Sequence, residues 1–452
     1  MNLSAGCSRP AGTKQLFMKR RDFFRKTLPV LTMPVVLPSL VHGMSFRAWA
    51  NSPLLRAAAR GLGEGRVVVL IQLNGGNDGL NTVIPLGHYD AYHAARANIA
   101  IPEDKVLRLP GFDQTGLNPA MPEMQQLFTA GKLAIIQSVS YPQPDFSHFR
   151  ATDIWLTGAD AGQILSTGWA GRYLDEQYPQ FPRNYPNPNM PDPLAIQVGS
   201  LVSPALQGPG LTMGMAISNP NSFYDLINDK SEPVPDSRAG DQLAYIREMA
   251  VKTDQYAGVI KAAAQKVTKQ SDCYPAPGKN PLADQLKIVA RLVAGGLRTQ
   301  FYLVSMGGFD THARQVEPND PTTGAHARLL AKLSEAIDAF QDDLTSLQVS
   351  DRVMGMTFSE FGRRIQSNAS GGTDHGAAAP VFVFGEKVQG GVIGRNPNWP
   401  DKLTVNDNIA MQYDFRSVYS TLLEKWFLSD EAIAETALLK KYASMALIRQ
   451  ES

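Results

Sequence analysis

Five short polar clusters in this chain carry residue types that do chemistry. They are Asn74, Asn77 and Asp78; Asp145-Phe-Ser-His148; Asp310-Thr-His312; Ser359-Glu360-Phe-Gly362; and Thr373-Asp-His-Gly376. Carboxylates and imidazoles that converge on one edge form the ligand set expected for a divalent metal such as Zn²⁺ or Mn²⁺. A serine among them can be activated as a nucleophile by a metal that lowers its pKa. Four of the clusters also have a plainer reading. Asn74-Gly-Gly-Asn-Asp-Gly79 can be a turn that needs positive φ. Asp145 and Ser147 can cap a helix that starts near Phe149. Asp310-Thr-His312 can bond locally, and Asp374-His375 can sit in a surface loop. The recurrence of the pattern beside several different strands favours a shared site. His88, His93 and His326 read instead as surface or core histidines.

The elements that must position these clusters are legible as apolar runs. Residues 66–73, 132–139, 194–198, 299–305, 352–358 and 379–384 read as strands. Residues 241–270, 281–297, 326–347 and 414–427 have the three- and four-residue spacing of helices. Strands alternating with helices predict an α/β fold: a doubly wound, mostly parallel central sheet with helices on both faces. Gly- and Pro-rich segments over 181–240 predict a loop-rich insertion. In such sheets ligands bind beyond the carboxyl ends of the strands, where most of the clusters fall.

The chain has 452 residues, enough for a large core, and a net charge of +1, which gives no general electrostatic case for nucleic acid or acidic membrane. Its N-terminus reads as an export leader over residues 1–50. Lys19-Arg-Arg-Asp-Phe-Phe-Arg-Lys26 resembles a twin-arginine signal. A short apolar stretch broken by Pro29, Pro34 and Pro38 follows, too short to span a membrane. Ala48-Trp-Ala50 is a small-x-small cleavage site that would leave Asn51 as the new terminus. The expected partner is the twin-arginine export machinery, and the expected location periplasmic or extracellular. Met18 is an alternative start to Met1. Of the two cysteines, Cys7 lies in the leader, so the mature chain would hold Cys273 alone and no internal disulfide. A linker over 51–65 and one domain over 66–452 complete the expected layout, with no further segment apolar and long enough to span a membrane.

Taken together, Leu73–Pro85, Phe146–Ala151, Gly168–Leu174, Gly308–His312, Phe358–Arg363 and Gly372–Gly376 resemble the exported bacterial family catalogued as domain of unknown function 1501. That family is similar to the alkaline phosphatase-like superfamily of phosphatases and sulfatases. The resemblance implies a metal site at the carboxyl edge of the sheet and a small anionic phosphate or sulfate ester as substrate. It implies Ser147 as nucleophile, by likeness to the sulfatase pattern Pro-x-Cys/Ser-x-x-Arg, with Arg150 or Arg363 steadying the developing charge. It implies Asp78, Asp310, His312, Glu360, Asp374 and His375 as metal residues. Two departures stand out. Asp310 and His312 are two apart where the superfamily often has four, and Glu360-Phe361 replaces an expected Asp-His, so one imidazole is missing. The metal is left open among Zn, Mn, Mg and Ca, and so is its absence. A non-catalytic exported binding or assembly protein on the same fold is the alternative to a metal-assisted ester hydrolase or transferase. A metal-independent serine hydrolase is a third, against which stands the lack of a Gly-x-Ser-x-Gly elbow.

Overall fold

The computed structural model describes residues 65–219 and 254–449. The chain divides into two units, Met1–Ala58 and Ala59–Ser452, and all described residues belong to the second. The export leader of 1–50, the linker up to residue 64 and residues 241–253 of the expected long helix lie outside them.

Among the described residues the main sheet has nine strands. In chain order they are β1 (Val67–Leu73), β5 (Leu133–Ser140), β6 (Ala195–Val198), β7 (Met215–Ile217), β8 (Phe301–Met306), β9 (Val353–Phe358), β10 (Ala379–Phe384), β11 (Gly391–Ile393) and β12 (Tyr413–Asp414). A small antiparallel sheet holds β2 (Val83–Ile84), β3 (Leu107–Arg108) and β4 (Gly116–Leu117). The main order is β11-β5-β10-β9-β1-β8-β6-β7, with β12 beside the end of β5. Every pairing is parallel except those of β10, which runs against both β9 and β5.

The first strand lies mid-sheet because it is apolar on both sides. Val67, Val69, Ile71 and Leu73 face one core and Val68 and Leu70 the other. The first core is closed by helices Pro122–Thr129, Pro281–Ala294 and Ala325–Ser346, and the second by His148–Thr157, Trp169–Gln177 and Phe415–Thr421. Helices on both faces hide a parallel sheet from water. Helix Pro281–Ala294 starts where Asn280 accepts a hydrogen bond from the Ala283 amide and Pro281 fills the first turn. The six strands read from the sequence occur within two residues of their predicted bounds. The described part of the predicted loop-rich insertion carries β6 and β7, so it also builds one edge of the sheet.

Candidate metal centre

The register aligns the ends of the three central strands. Leu73 of β1 pairs with Met306 of β8, and Gln72 with Phe358 of β9. The loops that follow therefore leave the sheet side by side. Because β10 is antiparallel, the segment that precedes it, Thr373–Ala378, returns to this same edge. That is why a motif on the amino side of a strand joins motifs on the carboxyl side of others.

The turn after β1 is shaped by two glycines. Gly75 and Gly76 have φ of +121° and +77°, and a Cβ would meet the Asp310 amide nitrogen at 2.3 Å and the Phe361 ring at 2.3 Å respectively. Only glycine fits such closeness at positive φ. The Gly75 amide donates to Glu360 Oε1 at 2.8 Å, and the Asn77 amide to Ser359 Oγ at 2.9 Å. Arg363, fully buried, then ties the loops together. It donates to the carbonyls of Gly76 (2.6 Å), Phe309 (3.1 Å) and Thr373 (2.9 Å), to that of Gly75, and to Asp310 Oδ1 at 2.8 Å.

Three imidazoles gather round Asp310. His312 Nε2 lies 3.1 Å and His375 Nε2 3.4 Å from Asp310 Oδ1, and His148 Nε2 lies 3.6 Å from Oδ2. The Nε2 atoms of His312 and His375 are 2.9 Å apart. Each imidazole is held from behind. Nδ1 of His148 donates to buried Glu360 Oε1 at 2.9 Å, Nδ1 of His312 to Asp374 Oδ1 at 3.2 Å, and Nδ1 of His375 to the Phe146 carbonyl at 2.8 Å. Asn368 Nδ2 steadies Asp374 at 3.1 Å.

Each Nδ1 therefore carries a proton. In the neutral form of the rings, three Nε2 lone pairs and the Asp310 carboxylate face one another, and such a set repels itself unless a proton or a metal cation sits among its members. The ligand atoms of His148, Asp310 and His375 lie within 4.8 Å of one another, a span that one ion with bonds of about 2.0–2.2 Å bridges. Histidine ligands of metals characteristically give their other N–H to a carboxylate or carbonyl, as all three do here. The residues therefore fit a divalent ion of the Zn²⁺ kind, and His148, Asp310 and His375 alone already form a metal-sized group.

The local charges agree. Burial opposes ionisation of Asp310, but the hydrogen bond and charge of Arg363, with His312 and His148, outweigh it and hold the carboxyl below its usual range. Asp374 is likewise lowered: Asn368 and His312 overcome the cost of burial. Burial pushes His375 below the usual histidine value, helped by the charges of Arg363, His148 and His312, while its bond to the Phe146 carbonyl works the other way. A neutral imidazole and an ionised carboxylate are the states that bind metal.

The other expected residues stand as follows. Glu360 is buried behind His148, where it orients that ring. Asp374 does the same for His312. Asp78 is away from this group: it is fully buried, with both oxygens 2.7 Å from Arg96 Nη1 and with Gln315 Nε2 2.6 Å from Oδ2. Arg150 pairs with Asp153 and donates to the carbonyls of Asp160, Ala161 and Gln163, which commits it to the loop beyond its own helix. Ser147 is the exposed N-cap of helix His148–Thr157. Its amide donates to Asp145 Oδ1 at 2.7 Å, and its hydroxyl makes no capping bond. His148 stood in the quoted motif without a role; nothing in the sequence joins it to Glu360, which is 212 residues away. Its ring packs on Phe361 and His375 with centroids 4.9 and 4.5 Å away. His148 brings to the cluster an imidazole that the expected metal residues did not include.

Residues 225–435 match the family model described as a protein of unknown function, DUF1501, the family that the motifs of the sequence resemble. No curated protein matches the chain. Among solved structures, a protein in the alkaline phosphatase superfamily from Vibrio parahaemolyticus is similar at 11% identity, over 84% of this chain and 71% of that one, with a TM-score of 0.36. The PsFucS1 sulfatase from Pseudoalteromonas sp. is similar at 10% identity over 88% and 78%, with a TM-score of 0.34. A phosphonate monoester hydrolase from Silicibacter pomeroyi is similar at 12% identity over 73% and 70%, with a TM-score of 0.28. At these scores the likeness carries no argument about activity. The fold class rests on the sheet itself.

Proposed function

We propose that this chain is an exported, metal-dependent hydrolase or transferase of phosphate or sulfate esters, with His148, Asp310, His312 and His375 as metal ligands and Ser147 as nucleophile. One observation carries the reading: three imidazoles, each anchored through Nδ1, turn their Nε2 atoms toward one carboxylate. A divalent ion held there would supply Lewis acidity, and Ser147 adjoins His148 in the chain.

The chain's own residues do the rest. Ser147 precedes His148, so the ring anchored by Glu360 fixes the backbone that carries the serine hydroxyl. That hydroxyl is exposed and free of a capping bond. Ser147 Oγ bonds to phosphorus or sulfur as it gives its proton to water. The ester oxygen departs and takes a proton from water, and a second water frees the group from Ser147. The amino end of a ten-residue helix favours the negative charge there. The commitment of Arg150 and Arg363 to carbonyls and carboxylates favours the second reading, a binding or assembly protein that holds metal without turnover.

The residue pattern at the N-terminus supports export through the twin-arginine machinery. Among the described residues no helix is long and apolar enough to cross a membrane.

The test is hydrolysis of aryl phosphates and sulfates by the Zn²⁺- and Mn²⁺-loaded protein. Turnover lost in a folded Ser147→Ala variant and on chelation supports the enzyme. Metal bound without turnover of any ester supports the second reading.

A further inference from the structure

Behind the histidines lies a buried polar array whose centre is Gln315. Its anchor is the ion pair of Asp78 and Arg96, both wholly out of water. Arg96 is held in turn by the carbonyls of Ile365 (2.7 Å) and Arg364 (2.6 Å). An ionised carboxylate only accepts hydrogen bonds, so it fixes which end of the Gln315 amide faces it. Gln315 Nε2 donates to Asp78 Oδ2 at 2.6 Å. The amide oxygen must then face the other way, where it accepts from Thr311 Oγ1 at 2.9 Å and Thr373 Oγ1 at 3.1 Å.

Those two threonines belong to the two loops that carry the site. Thr311 stands between Asp310 and His312, and Thr373 directly precedes Asp374 and His375. The loops also touch through the Thr373 amide, which donates to the Thr311 carbonyl at 3.1 Å. Gln315 itself is fully buried and reaches neither imidazole.

We infer that Gln315 is a positioning residue, a clip that sets the His312 loop and the His375 loop at the spacing their Nε2 atoms need, with Asp78 and Arg96 as its anchor. Its consequence for metal rests on the reading above; its geometry does not. The carboxylate that follows β1 thus serves the site at one remove, through an amide and two hydroxyls. Loss of a partner that bonds a ligand directly costs about 10- to 100-fold in metal affinity; Gln315 acts through the neighbours of the ligands, so the lower end, about 10-fold, is expected.

The experiment compares the parent with Gln315→Leu by Zn²⁺ titration and by hydrogen exchange of the apo protein. The expected result is Zn²⁺ affinity lower by about 10-fold, with faster exchange over residues 309–315 and 371–376 and unchanged exchange in β1. Parental affinity and parental exchange in both loops overturn the inference. Should Gln315→Leu not fold, Thr373→Val is expected to show the same losses and Thr373→Ser to restore them; equal behaviour of the two overturns it. A parent that takes up no Zn²⁺ overturns the metal reading instead. Loop exchange then decides the clip alone, faster exchange supporting it and unchanged exchange refuting it.

Discussion

At the residue scale, the side chains of the site divide into those that face inward and those that hold them. His148, Asp310, His312 and His375 face inward; Glu360, Asp374, Arg363 and the Phe146 carbonyl hold them. Removal of one inward imidazole deletes a proposed ligand. His375→Ala and His148→Ala are each expected to weaken Zn²⁺ binding by more than about 100-fold, read by competition with a chromogenic chelator. Glu360→Ala, which frees the His148 ring, is expected to cost about 10- to 100-fold in the same assay. His326 makes a different prediction. Burial lowers its pKa from 6.5 to about 4, and its Nε2 lies 3.0 Å from Asn77 Oδ1 deep in the core. The unfolded chain takes up the proton near the usual value, whereas the folded one resists it. Stability from this group is therefore complete above about pH 6.5 and falls away toward pH 4, by roughly 3 kcal/mol in all. Denaturant unfolding across that range is expected to show a shallower pH dependence in His326→Gln than in the parent. An unchanged slope would mean that His326 is not held neutral.

The residue types of the site were legible in the sequence, and their partners were not. Asp310, His312, Asp374 and His375 lie in two short motifs, and the structure brings them together. Asp78 reads the same way on paper, as an acidic residue beyond a buried strand. Its burial against Arg96 and Gln315 depends on residues 18 and 237 positions away, which no local pattern reveals. Arg150 illustrates the same limit, since the carbonyls it binds come from an irregular loop. The single residue between Ser147 and Phe149 escaped assignment because its holder, Glu360, belongs to another strand's loop.

At the scale of elements, the strands place the site and the turns shape it. Apolar runs rich in β-branched residues marked the six long strands closely. The two- and three-residue strands carry too little pattern to be read. Nor does sequence give direction: β10 was legible as a strand but not as the one antiparallel member, although that reversal is what delivers His375 to the edge. The turn after β1 is the most exacting piece. Gly75→Ala would force a Cβ against backbone at a positive φ. The expected loss is more than about 2 kcal/mol of unfolding free energy. Because Gly75 also bonds Glu360, weaker metal binding is expected to accompany it. Chemical denaturation and chelator competition check the two effects separately, and a fully stable variant would contradict the close approach.

At the scale of the whole molecule, the proposed metal site predicts a link between metal and fold. An ion that binds only the folded chain stabilises it by about 2.7 kcal/mol at a free concentration 100 times its dissociation constant. Thermal unfolding is expected to shift upward with Zn²⁺ and back with a chelator, and to shift little in His375→Ala. The same scale includes the proposed export, which the twin-arginine-like motif of residues 19–26 supports. A folded domain with a loaded ion is suited to a route that carries folded cargo, and the leader's motif points to that route. Amino-terminal sequencing of the exported protein is expected to begin at Asn51. A chain that keeps Arg20 and Arg21 after export would contradict the leader.

The most direct test of the proposed metal site is the metal content of the full-length protein, loaded with Zn²⁺, freed of excess ion and analysed by elemental mass spectrometry beside His148→Ala. Close to one ion per chain is expected in the parent and a marked loss in the variant, since His148 is the imidazole that the sequence motifs left without a role. A parent that retains no metal, or a variant that retains as much as the parent, would contradict it.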